Sequence, residues 1–116
     1  MAIILQQLEK KVQGDLELSI NYYRLLVALS GVKLKPKELE LLAFAGLKGN
    51  IYYPPVVEEF VERFSSSEGS VYNMAGRLCR LGIFEKAGNK MKVSPRYQVD
   101  FSKEKVKLEI TLDKTT

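Results

Sequence analysis

Residues 65–95 read SSSEGSVYNMAGRLCRLGIFEKAGNKMKVSP, and the hydrophobic period changes partway along them. Up to Leu81, the apolar residues Val71, Ala75 (or Met74), Leu78 and Leu81 recur at three- and four-residue steps, the stripe of an amphipathic helix over about 68–81. Ser67, or Ser65 together with Glu68, offers an N-cap, and Gly82 stands at the stop position. Beyond it, residues 83–86 and 90–93 read as two short strands around Ala87-Gly88-Asn89, a hairpin signal, and Ser94-Pro95 ends the second. Turning the stripe inward leaves Ser70, Asn73, Arg77 and Arg80 on the opposite face, with Tyr72 on its flank. Asn can bond adenine through both amide groups, Arg can do the same to guanine or clamp a phosphate, and Tyr can donate to a phosphate.

Upstream, the same reasoning finds three more helices. One runs from Ser19 or Asn21 to Ser30, with Tyr22, Leu25, Leu26 and Leu29 as its apolar stripe and Gly31 as its stop. A second spans about 36–47, opened by Pro36 and striped by Leu39, Leu42, Ala43 and Leu47. Pro54-Pro55 opens a third through about residue 64, burying Val56 or Val57, Phe60, Val61 and Phe64 and leaving Glu58, Glu59 and Glu62 outside. Near the C-terminus Val106, Leu108, Ile110 and Leu112 alternate with Lys105, Lys107, Glu109 and Thr111, the pattern of a strand buried on one face. Residues 1–14 fit either period. The need of 105–112 for a partner favours reading 2–12 as the strand beside it.

The expected fold class is α+β: about four helices and a hairpin over 19–95, with added terminal strands at 2–12 and 105–112. A chain of 116 residues without repeats or a low-complexity tract fits one domain over 1–116.

Composition narrows the chemistry. The chain has no histidine and one cysteine, Cys79, so the commonest general base, the usual zinc ligand sets and an intramolecular disulfide are all missing. No Gly-rich phosphate loop or nucleophile elbow occurs. We therefore expect no enzyme activity, no cofactor and no metal. Cys79 reads as a packed thiol, and Tyr22-Tyr23 and Tyr52-Tyr53 as packing residues before they are base-stacking ones. No apolar run approaches the ~18–20 residues of a membrane span, and no signal peptide is legible, so the expected location is cytoplasmic.

Charge is unevenly placed. Between residues 69 and 99 stand Arg77, Arg80, Lys86, Lys90, Lys92 and Arg96 against the single acid Glu85, a net +5 within a chain of net +4. Positive charge gathered in one stretch is the footprint of a polyanion binder.

Residues 65–95 resemble the recognition helix and wing of winged helix-turn-helix proteins, in the serine-rich start, the Ser70-Val71-Tyr72 step and the Leu78…Leu81-Gly82-Ile83-Phe84 exit. Residues 34–42 resemble the opening helix of many such domains, and the arrangement is similar to small proteins of this kind carried by bacteriophages and mobile elements. The resemblance implies double-stranded DNA as partner, transcription or replication control as role, and a bacterial or phage-infected cell as setting. It implies groove-facing Ser70, Asn73 and Arg77 and wing contacts from Lys86, Lys90 and Lys92. Ser67, Tyr72 and Arg80 complete the expected DNA-binding set, and because a single small module binds weakly, a homodimer through the terminal strands is expected. Glu58, Glu59 and Glu62 depart from the pattern, since carboxylates repel phosphates. They keep open an alternative in which the same fold holds a protein partner as an assembly module.

Overall fold

The computed structural model describes residues 11–112 and residue 114. Four helices, α1 (Gly14–Ser30), α2 (Pro36–Lys48), α3 (Pro54–Arg63) and α4 (Glu68–Arg80), precede an antiparallel hairpin of β1 (Phe84–Ala87) and β2 (Lys90–Val93) and a 3₁₀ turn at Pro95–Tyr97. The chain is thus α+β. Among the described residues no helix is long and apolar enough to cross a membrane.

α2 is the hub. Its consecutive residues Leu41 to Ala45 are all buried, because α1, α3, α4 and β2 pack around it on several sides. Against α1 the approach is close. Ser19 donates its hydroxyl to the Ala43 carbonyl at 2.7 Å, and Gly46 lies where any Cβ would sit 2.8 Å from the Tyr23 ring. Tyr23 in turn donates to the Tyr97 carbonyl at 2.7 Å, and its ring meets Tyr22 and Phe101 edge-on. These bonds tie the segment after the hairpin back onto α1.

These contacts correct the reading of α1. The helix begins at Gly14, five residues before Ser19, with Asp15 and Glu17 in the first turn where carboxylates favour the helix dipole. Its buried line is Ser19, Tyr23 and Val27, whereas Leu25 and Leu29 are 57% and 51% exposed. Apolar residues lie on two faces of α1, so periodicity could not choose between them. The bare backbone at Gly46, which admits the Tyr23 ring, favours the inner one.

Ser67 caps α4, accepting the Ser70 N–H at 3.1 Å, and the helix ends in a Schellman pattern. The Gly82 N–H bonds the Cys79 carbonyl and the Ile83 N–H bonds that of Leu78, each at 3.0 Å, with Gly82 at φ 79°. Gly82 turns the chain so that Ile83 is buried over Leu78, and β1 therefore starts one residue later, at Phe84. Leu81, expected inside, is 42% exposed because it sits in the turn. Positive φ at Gly88 alone fits a type II′ turn, and the register pairs Phe84 with Val93 and Ala87 with Lys90.

The expected strand at 105–112 does not form: those residues belong to no strand, although Val106 packs at the core margin. An extended segment becomes a strand only through ladder hydrogen bonds, and none to described residues exists here. Its expected partner, 2–12, lies outside the described residues except for Lys11 and Val12, which are in no element.

Candidate nucleic-acid interface

The α3–α4 pair is joined by the four residues from Phe64 to Ser67, a helix-turn-helix spacing. Val71, Ala75 and Leu78 are buried, which fixes the rotation of α4 about its axis. The exposed positions are then Glu68, Gly69, Tyr72, Asn73 and Arg80. Gly69 and Gly76 leave this face low: a Cβ at Gly69 would meet nothing within 4 Å, and one at Gly76 only the Arg80 guanidinium. Among the described residues no carboxylate pairs with Arg80.

Arg77 behaves differently. Its Nη1 donates to Glu38 Oε1 at 2.7 Å, and its Nη2 reaches the Lys33 carbonyl at 3.4 Å. Glu38 is 3% exposed, and the same oxygen accepts the Lys35 N–H at 2.8 Å, capping α2. The expected free groove-facing arginine is thus bound internally, because its position one turn along from Asn73 points it sideways at α2. Ser70 is half-buried on the same flank, and its N–H is spent on Ser67. On the opposite flank Tyr72 packs against Tyr52, ring centroids 5.0 Å apart and planes tilted by 55°. Burial, with Cys79 and Tyr72 nearby, pushes the Tyr52 phenol up from its ordinary value.

The hairpin divides its lysines. Lys92 faces Glu85 and Lys90 faces Ala87 on one side of the ladder, while Lys86 faces Met91 on the side that also carries Phe84 and Val93. Lys92 further lines an open cleft with Gly46, Gly49 and Asp100, at the C-terminal end of α2. Asp100 is held below the usual carboxylate range by the Ser102 hydroxyl and N–H, at 2.6 and 3.0 Å. Arg77 is anchored on Glu38 in the first turn of α2, whereas Lys92 lines the cleft at the other end of that helix. The basic residues do not converge on one point, and Lys86 leaves the hairpin on the face opposite Lys90 and Lys92.

Two contributors escaped the sequence reading. One is Glu38, whose signal was its place three residues after the cap of α2. The other is Asn50, whose carboxamide oxygen accepts the Met91 and Tyr52 N–H groups, each at 3.0 Å. With Ile51 donating to the Met91 carbonyl at 2.9 Å, it fastens β2 to the α2–α3 connection. Nothing local marks Asn50 as more than a loop residue. Glu58 and Glu62 are exposed on α3, and Glu59 is engaged by Lys48 at 3.3 Å and Arg63 at 3.9 Å. Among the described residues no acidic or cysteine cluster could hold a metal ion.

Comparison with protein-family models, curated proteins and solved structures finds no match for this chain.

Proposed function

We propose that the chain binds double-stranded DNA as a winged helix-turn-helix protein acting in transcription or replication control. α3 and α4 are the helix pair, α4 enters the major groove, and β1–β2 is the wing on the flanking backbone. The observation that carries this is the outer face of α4: Tyr72, Asn73 and Arg80 are exposed on a helix whose opposite side is buried, beside two glycines that permit close approach. Asn73 and Arg80 are the base-reading or phosphate-clamping groups, and Tyr72, Ser70 and the Ser67 hydroxyl are phosphate donors. Lys86, Lys90 and Lys92 serve the backbone from the wing. Arg77, bonded to Glu38, contributes positioning and positive potential more than base reading. A single module of this size binds weakly, so two half-sites met by a homodimer complete the reading.

A second reading has its own observation. Glu58 and Glu62 stand exposed on the helix next to α4, where phosphates would meet repulsion, which favours a protein partner on that side. Fluorescence polarisation with pooled random duplexes at two salt concentrations separates the two. Salt-sensitive binding supports the DNA reading, and absence of duplex affinity at low salt transfers support to a protein partner.

A further inference from the structure

Residues 105–112 alternate strictly between apolar and polar, yet they pair with nothing among the described residues. Val106 is packed against the core margin and Leu108 is half-buried, whereas Ile110 is 54% and Leu112 88% exposed. The segment is thus seated at one end and exposed at the other, and its backbone donors and acceptors bond to no other described residue.

We propose that this edge is closed by the same segment of a second copy, paired antiparallel about a two-fold axis at Leu108. Charge selects the partner and the register. A shift of one residue sets every apolar side chain against a polar one and is excluded by the pleat. Centring on Lys107 or on Glu109 brings a like charge onto itself at the axis, centring on Val106 sets Lys105 against Lys107, and centring on Ile110 sets the apolar Val106 against Lys114. Centring on Leu108 places Lys107 opposite Glu109 twice, Lys105 opposite Thr111, Val106 opposite Ile110 twice and Leu108 opposite its own copy. No like charges meet, and every apolar residue from 105 to 111 meets another.

The resulting ladder is about 23 Å long. A two-stranded ribbon is marginal by itself in water. Here it has backing, since Val106 of each copy rests on its own core and Ile110 of the other copy lies beside it. The bare end of each chain is thereby carried onto the body of its partner. This pairing rests on the homodimer of the DNA reading and supplies its interface; it is tested without nucleic acid, so its failure leaves duplex binding by the single chain untouched.

Sedimentation equilibrium of the full chain tests it. The wild type should weigh twice the 13.2 kDa chain and dissociate on dilution. Lys107→Glu and Glu109→Lys, each on an exposed side chain, should each weaken the dimer about tenfold or more, by setting like charges opposite at two symmetric places. The double variant K107E/E109K restores opposite pairs and should return the affinity to within about threefold of wild type. A wild type that stays monomeric at all concentrations, as pairing with residues 2–12 of its own chain would leave it, overturns the proposal. A dimer indifferent to both single variants, or not restored by the double, overturns it as well.

Discussion

The guanidinium of Arg77 on α4 and the carboxylate of Glu38 on α2 meet at 2.7 Å, and that carboxylate also caps the helix it belongs to. One buried oxygen thus joins the start of the central helix to the helix proposed to read DNA. Arg77→Ala would strip a 3%-exposed carboxylate of its cationic partner and should destabilise the fold by ~1–3 kcal/mol. Glu38→Ala should cost a comparable amount through the lost cap, while freeing Arg77, which is already 40% exposed, to rehydrate. Thermal melts of both variants and of the double check the coupling. Strictly additive losses would show that the pair contributes nothing of its own.

Helix rotation is testable by contrast within one helix type. Leu78→Ala should cost ~2–5 kcal/mol, because the side chain is fully buried in the central stripe of α4. Leu25→Ser on the outer face of α1 should stay within about 0.5 kcal/mol. Denaturant titration measures both. A large loss at Leu25 would mean that α1 presents its other face to α2.

Gly46 looks like a helix-weakening residue whose replacement by alanine should stabilise α2 by ~1 kcal/mol. The opposite is expected. The new methyl would fall 2.8 Å from Tyr23 Cε2 and 3.3 Å from the Phe101 ring, both buried and neither the free end of a flexible chain. Overpacking of this kind costs ~1–3 kcal/mol, so Gly46→Ala should lower the melting temperature.

Burial, reinforced by neighbouring Tyr22, raises the Tyr23 phenol well above its ordinary 10.0. In the unfolded chain the phenol ionises near 10, while in the folded chain it stays protonated. The stability it supplies is therefore complete below pH 10 and is lost as pH rises from there toward the folded value. Tyr23→Phe should cost ~0.5–1.5 kcal/mol at neutral pH through the lost bond to the Tyr97 carbonyl. It should also flatten the alkaline limb of a stability-versus-pH curve, which urea unfolding between pH 8 and 11 would record.

For the DNA reading, Asn73→Ala and Arg80→Ala should each lose ~1–3 kcal/mol of discrimination between duplex sequences if they contact bases. Neither should move the melting temperature appreciably, since both are exposed. Neutralising Lys90 and Lys92 to Gln should flatten the slope of log K against log salt by ~1–2 with sequence preference kept, because phosphate contacts position without specifying. Unchanged preference in both α4 variants would remove these residues from the reading role.

Sequence alone determined the local elements: α4 with its Ser67 cap and Gly82 exit, the Pro-opened starts of α2 and α3, and the hairpin around Gly88-Asn89. Each follows from signals a few residues apart, in caps, turn chemistry and a single clear stripe. Tertiary structure alone decided the rest. Which of two apolar faces α1 buries depends on the room at Gly46, sixteen residues beyond the end of the helix. Whether 105–112 is a strand depends on a partner for its backbone, which its own pattern cannot supply. Arg77 and Glu38 stand thirty-nine positions apart, and no local spacing announces that one will occupy the other. Alternation and periodicity record how much of a side chain must be hidden. What hides it, and which polar group is used up in doing so, is settled only when distant segments pack.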